Sequence, residues 1–348
     1  MTETPPFDPI PPFDEDAARA ARARQDRLTK PQGSLGRLEE LTARLAGIQG
    51  RAMPDLDPAH IVVFAADHGV AARNVSAYPA SVTAQMVLNY ARGGAVINTL
   101  AAHLGARLTV CDVGVAADFP PDLPIRHAKV RRGTADWTRG PAMTADEARR
   151  ALAAGRQVVE EAGPLGVLLV GEMGIGNTTT AAALAAALTG GDAARFVGRG
   201  TGVDDAGLAR KRSVIEEGLA RHGRLSDPFD LLAALGGLEI AAMTGAMRAA
   251  AARRVPVLLD GFIATAAALA AAEMDPAVRP YFVAAHRSPE PGHALLLERL
   301  ELTPLLDLGL RLGEASGAAL ALPLLRQAVA VLRGVATFDE AGVSGKDG

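Results

Sequence analysis

The segment Gly171-Glu172-Met173-Gly174-Ile175-Gly176-Asn177-Thr178-Thr179 sets three glycines around an acid and runs into an alanine-rich stretch. Glycines at 171, 174 and 176 let backbone amides approach a ligand closely, and Asn177 or Thr178 can cap the helix that follows. Amides at a helix N-terminus, with the macrodipole behind them, make an anion site, most often for phosphate. A P-loop carries lysine after its last glycine, whereas Asn177 stands here, and the dinucleotide pattern G-x-G-x-x-G fails too. These residue types point to a monophosphate; a tight turn that uses its glycines for packing alone is the other reading. A second glycine-rich loop, Gly198-Arg199-Gly200-Thr201-Gly202, leads through Asp204-Asp205 to Lys211. It can add amides and a counter-charge to the same phosphate, unless Lys211 rides the solvated face of a charged helix.

Two acids are placed to do proton chemistry. Glu314 is the only acid between Asp307 and Asp339 and is embedded in small and apolar residues, Arg311-Leu312-Gly313-Glu314-Ala315-Ser316-Gly317. In such surroundings a carboxylate is either desolvated, with a raised pKa suited to proton abstraction, or turned to water at a helix start. Glu172 sits in the glycine loop and faces whatever occupies it. Asp67, His68, His286 and His293 have metal-ligating side chains but no paired spacing to support a site, so no metal is expected. Cys111 follows an apolar run and reads as a small core residue. No nucleophile elbow or kinase signature occurs.

Elements must bring these residues together. Nearly continuous apolar runs of strand length recur at Ile61–Ala66, Leu108–Val113, Val167–Val170, Val255–Leu259 and Tyr281–Ala285. Such runs mark strands buried on both faces. Helical stretches lie at Ser81–Tyr90, Ala145–Glu161, Thr179–Leu188, Asp204–His222 and Ile263–Ala272. The alternation predicts a doubly wound α/β fold, mainly parallel, with helices on both faces of the sheet. Polar groups follow each strand: Asp67-His68, Asp112, the 171–179 loop, Asp260-Gly261 and His286-Arg287-Ser288. In open α/β sheets that rim is where ligands bind.

The flanks read differently. Prolines in residues 1–13 predict an extended arm, and helical text from Asp14 to about Thr29 is broken by Lys30-Pro31-Gln32-Gly33. Ser34 then caps a second helix with Leu35, Leu38, Leu41, Leu45 and Ile48 on one face. Residues 14–57, joined by part of 305–336, are expected to form a small helical domain beside a large α/β domain at 58–304. Helical text runs from Leu305 to Leu332 despite Pro323, and residues 337–348 are expected to be disordered.

Composition narrows the class. The charge balance, 36 − 39 = −3, gives no basic footprint for nucleic acid or an anionic membrane surface. Apolar stretches such as Ala181–Leu188 fall short of the roughly 18 residues a membrane helix needs. The opening MTETPPFDPIPPF does not read as a secretory signal, and one cysteine allows no intrachain disulfide. A soluble cytoplasmic protein is expected. Lysine is scarce, only Lys30, Lys129, Lys211 and Lys346, so each carries more meaning.

Several segments together resemble a known family. They are KPQGSLGRLEEL (30–41), VVFAADHGV (62–70), YPASVTAQM (78–86), GEMGIGNTTTAAAL (171–184) and GRGTGVDDAGLARK (198–211). LGGLEIAAMTGA (235–246), PVLLDGFIATAAAL (256–269), AAHRSPEPGH (284–293) and LLDLGLRLGEASGAALALPLL (305–325) continue the match. The family is the nicotinate-nucleotide–dimethylbenzimidazole phosphoribosyltransferases of cobalamin biosynthesis, and the resemblance spans roughly residues 28–330. It implies transfer of a 5-phosphoribosyl group from nicotinate mononucleotide to 5,6-dimethylbenzimidazole, without a cofactor, by a homodimer. It assigns the catalytic glutamate to Glu314. Glu172, Gly174, Gly176, Asn177 and Thr178 fall around the nucleotide, and Gly200, Gly202 and Lys211 on its phosphate. Tyr78, Gln85, Met86 and Ser288 fall in the base pocket. A nucleotide-dependent hydrolase or kinase would need the lysine and magnesium-binding acids that are missing here. Transfer to another base, or binding without catalysis, are the remaining alternatives.

Overall fold

The computed structural model describes residues 7–344. The apolar runs form β1 (Ala59–Ala66), β2 (Arg107–Gly114), the two-residue β3 (Arg126–His127), β4 (Val167–Met173), β5 (Val257–Leu259) and β6 (Phe282–Ala284). All neighbours pair in parallel, in the order β3-β2-β1-β4-β5-β6. In the centre, Phe64 lies between Cys111 and Glu172. This is the Rossmann-type order, in which the chain winds outward in both directions from the middle and leaves a crevice at the carboxyl ends of the central strands. Here those strands are β1 and β4.

Every residue of β1 is buried, and alternate residues serve different cores. Val62, Phe64 and Ala66 face one side, with α5 (Ala145–Glu160), α6 (Asn177–Thr189), α9 (Leu238–Ala252) and α10 (Phe262–Met274). Ile61, Val63 and Ala65 face the other, with α3 (Ser81–Ala91), α4 (Val96–Leu104) and α12 (Ser316–Gly334). The expected doubly wound α/β architecture is therefore present. Helices α4, α8 (Pro228–Leu235) and α9 lie beyond those anticipated. The reason is plainest in α9, almost wholly buried, so that no polar face marks its period. It packs close against α5: a Cβ at Gly155 would lie 1.8 Å from Ala242 O, and one at Gly245 2.0 Å from Leu152 O.

Helices α1 (Glu15–Arg27) and α2 (Arg37–Gln49) pack on each other, and α2 on α12, while Leu45 and Ile48 of α2 join the two cores beside the sheet. Ala21, Ala43 and Ala46 enclose Leu332 from the end of α12, and Arg24 donates to Leu332 O at 2.9 Å and Val335 O at 3.3 Å. Helix α2 begins later than its leucines suggested. Residues 31–36 form turns, Gly36 rather than Ser34 occupies the cap, and Leu35 stays exposed. Of the proline-rich arm, residues 1–6 lie outside the described residues. Phe7 lies 4.2 Å beneath the Arg248 guanidinium, and Pro11 O accepts from Tyr281 Oη at 2.7 Å.

Two further expectations need correction. The segment 305–315 is not helical: Leu305 and Leu306 donate to Ala284 O and Ala285 O beyond β6, so edge pairing replaces the helix until Ser316. Nor is the whole tail without structure. Thr337 Oγ1 accepts from Glu340 N and the Glu340 carboxylate from Thr337 N, a reciprocal cap on α13 (Phe338–Ala341). Residues 345–348 lie outside the described residues.

Trp137, the sole tryptophan, is fully buried against Gly218 of α7 (Asp205–His222), and α11 (Pro291–Arg299) follows β6. The Trp137 indole Nε1 donates to Thr180 Oγ1 at 3.3 Å.

Candidate active site

The carboxyl end of β4 delivers Glu172, and the glycine turn after it starts α6. Gly176 takes the helix cap at φ +98° with no side-chain cap, and backbone carbonyls serve the first turn: Asn177 N donates to Gly174 O at 3.1 Å and Thr179 N to Gly176 O at 3.1 Å. Asn177, an expected cap, donates instead from Nδ2 to Glu172 Oε2. The turn is fixed from α3, where Thr83 Oγ1 accepts from Ile175 N at 3.1 Å.

Glu314 arrives beside Glu172 from the other end of the chain. It and Ala315 both adopt the left-handed conformation, φ 63°, just before α12. The turn lies on β4 so closely that a Cβ at Gly171 would sit 2.1 Å from Ala315 N. A Cβ at Gly313 would meet Glu172 Oε1 at 2.6 Å. Asp260, after β5, caps the start of α12: its Oδ1 accepts from Gly317 N at 2.7 Å and Ala318 N at 3.1 Å. His286 Nε2 approaches the same oxygen at 3.6 Å.

Glu314 is 6 % exposed, and its Oε2 is buried with no hydrogen-bond partner. Burial pushes its carboxyl upward, and the Asp260 charge adds to this against the pull of the Tyr90 hydroxyl and the Ile97 amide. Glu172 is driven well above the ordinary carboxylate range, first by burial and then by Asp260, Glu239 and Glu314, while Asn177 opposes. Glu239 belongs to a pair under the glycine turn: His68 Nε2 lies 2.7 Å from its Oε1, and His68 Nδ1 3.0 Å from Thr180 Oγ1.

Behind the cavity wall at Thr178 lies a buried lysine. Lys211 is 1 % exposed, which excludes the solvated-face reading. Its Nζ donates to Thr178 Oγ1 at 3.1 Å and Gly198 O at 2.9 Å. Burial lowers its pKa to about 8, with Glu290 pulling the other way. Glu290 Oε1 accepts from Gly200 N at 2.8 Å. His293 holds this loop, its Nδ1 accepting from Ser288 N at 2.9 Å and its Nε2 3.0 Å from Thr265 Oγ1. Burial lowers its pKa to about 4, so the ring is neutral.

A continuous cavity joins these parts. Glu172, Gly174, Asn177, Thr178, Gly200, Ser288 and Glu314 all line it. The DBI_PRT family, described as a phosphoribosyltransferase, matches residues 10–343. A nicotinate-nucleotide–dimethylbenzimidazole phosphoribosyltransferase of Chloroflexus aurantiacus is 55 % identical over 340 residues, 97 % of each chain. The namesake in Chromobacterium violaceum is 56 % identical over 96 % of this chain and 98 % of its own. The chain belongs to this phosphoribosyltransferase family. A solved member from Thermus thermophilus superposes with a TM-score of 0.91 at 48 % identity, covering 96 % of this chain and all of that one. A second structure, CobT from the same organism, gives 0.92 at 50 % identity over 94 % and 99 %.

Not every residue expected from the family resemblance converges. Gly176 stands behind the cavity wall as the helix cap, and Lys211 reaches it through Thr178. Gly202 is exposed and turns its amide to Arg199 O, so it shapes the second loop from outside. Tyr78, 53 % exposed, and Gln85 line a separate cleft over the ends of β1 and β2, together with Asp67, His68 and Thr134. Met86 packs against the sheet core instead. Tyr90 and Glu239 were missed from the sequence. Tyr90 is hidden in an ordinary amphipathic helix, and Glu239 is the lone acid of an otherwise apolar α9, a signal that was there to be read.

Proposed function

We propose that the chain transfers the 5-phosphoribosyl group of nicotinate mononucleotide to 5,6-dimethylbenzimidazole, giving α-ribazole 5′-phosphate and nicotinate. The supporting observation is one cavity lined by two buried, differently partnered carboxylates and by Thr178 and Gly200, with the Lys211 ammonium bonded behind Thr178. The Thr178 side suits the phosphate. The two carboxylates then receive C1′, where bonds change.

Nicotinate leaves with the electron pair of the broken C1′–N bond, so its pyridinium becomes a neutral ring and needs no general acid. The bare nitrogen of the benzimidazole attacks the opposite face of C1′, which inverts β to α. Its other ring nitrogen gives up a proton to Glu314, whose unpartnered oxygen is free to take it. Burial and the neighbouring acids favour the neutral form of Glu172. A cationic pyridinium or oxocarbenium beside it favours its ionised form and is stabilised in turn. The reading assigns Tyr78 and Gln85, in the separate cleft, to entry of the base, and Ser288, in the cavity lining, to its pocket. The reading includes a homodimer in the cytoplasm. Val96 on α4 and Leu320 on the contacting α12 leave exposed apolar side chains that suit self-association, measurable by analytical ultracentrifugation.

The test is chromatography of products after incubation with nicotinate mononucleotide and a panel of bases, without added metal. Base-dependent release of nicotinate, fastest with 5,6-dimethylbenzimidazole, is the expected result. No base-dependent release would overturn the reading.

A further inference from the structure

The cavity has an electrostatic problem at its acidic end. Glu172 and Glu314 both line it, with Glu290 in the same cavity toward Gly200, yet the proposed leaving group carries a carboxylate of its own on the pyridine ring. An anion among carboxylates needs a cation. Lys211 does not supply it, being held behind the cavity wall by Thr178 and Gly198.

Arg311 does. Among the described residues it is the only lysine or arginine lining the cavity, three residues before Glu314 on the turn that lies over Glu172. Its guanidinium is exposed and makes no hydrogen bond or ion pair among the described residues. The other arginines near the rim are occupied: Arg199 by Asp205 and Val203 O, and Arg287 by Asp307. A planar guanidinium matches a carboxylate with two parallel hydrogen bonds, a geometry that an amide oxygen and NH2 cannot return. We propose that Arg311 receives the pyridine carboxylate of the nucleotide and thereby selects the acid over the carboxamide form. The inference rests on the phosphoribosyl-transfer reading for the identity of the ligand. It goes further in naming the residue that discriminates between nicotinate and nicotinamide nucleotides. Once the ring is seated, the pair is partly withdrawn from water and flanked by acids that a free carboxylate alone would face.

Steady-state rates with nicotinate mononucleotide and with nicotinamide mononucleotide, at fixed dimethylbenzimidazole, test this in wild type, Arg311→Gln and Arg311→Lys. The side chain is exposed, so both variants are expected to fold. The ratio of kcat/KM for acid over amide should fall about tenfold in Arg311→Gln, equivalent to about 1.4 kcal/mol, and recover in part in Arg311→Lys. An unchanged ratio overturns the inference. An equal loss with both nucleotides also overturns it, because it would put Arg311 on the shared phosphate. Calorimetric binding of the two nucleotides gives a readout independent of turnover. If wild type binds the acid form preferentially, Arg311→Gln loses that preference and no transfer occurs, the inference stands and the transfer reading falls. If transfer occurs but Arg311→Gln keeps the binding preference, only the inference falls.

Discussion

Glu314 and Glu172 line the same wall with different environments, and the difference sets what each does. Glu314 keeps an unpartnered oxygen, whereas Glu172 is tied to Asn177 and surrounded by acids. Glu314→Gln should retain fold and nucleotide binding and lose about 10²- to 10⁴-fold in kcat, checked by steady-state kinetics beside circular dichroism. In wild type the acidic limb of the kcat profile should lie above pH 4.5, because the base form exists only above the raised pKa. Glu172 works against stability. Its folded value is raised, so the folded protein keeps a proton that the unfolded chain releases above about 4.5, and stability falls as pH rises from there. Glu172→Gln should therefore raise Tm more at pH 8 than at pH 5 while costing activity; a constant gain across that window would mean Glu172 is charged in the fold. Lys211 behaves in the opposite sense. Its ammonium is lost above about pH 8 rather than 10.5, so kcat/KM for the nucleotide should decline through pH 8. Lys211→Met should remove that decline and raise KM. Scarcity of lysine drew attention to this residue in the sequence, but only its burial shows that it does not sit in solvent.

At the scale of elements, the start of α12 decides where Glu314 points. Asp260 caps it from β5, so one side chain couples a strand end to the turn that carries Glu314. Asp260→Ala should cost about 1–2 kcal/mol through the lost cap and dipole contact. As a positioning effect it should lower kcat with little change in nucleotide KM, and Asp260→Asn, which keeps an acceptor, should recover part of the loss. Strands β1, β2 and β4 were legible because burial on both faces leaves an unbroken apolar run. Helix α9 was not, for the same reason turned around: a helix without a wet face shows no period. The 305–315 segment misled because its leucines suit either a helix or an edge pairing. Only the partners Ala284 and Ala285, distant in sequence, decide between them. The glycine turn was expected to offer open amides, but the amides of Ile175, Asn177, Thr179 and Thr180 bond within the protein, and the Asn177 side chain serves the acid rather than the cap.

The molecule as a whole depends on very close layers. Helices α5 and α9 touch backbone to backbone at Gly155 and Gly245, neither of which lines the cavity. Gly155→Ala should destabilise by about 3 kcal/mol, since overpacking of this kind forces helices apart. Thermal melts should show that loss while the KM values of the surviving folded enzyme stay near wild type. A cavity wall assembled from β4, β5, β6 and a turn about 140 residues beyond Glu172 exists only in the finished fold, so no fragment of the chain should carry activity. The single tryptophan offers a way to watch that wall. Trp137 touches Thr180, Thr180 faces His68, and both lie under the turn that would receive the nucleotide. The protein thus carries an intrinsic fluorophore against the floor of its own site. Occupancy should register as a change in indole emission, without label or coupled assay, and a titration in a cuvette can follow binding even in variants that no longer turn over.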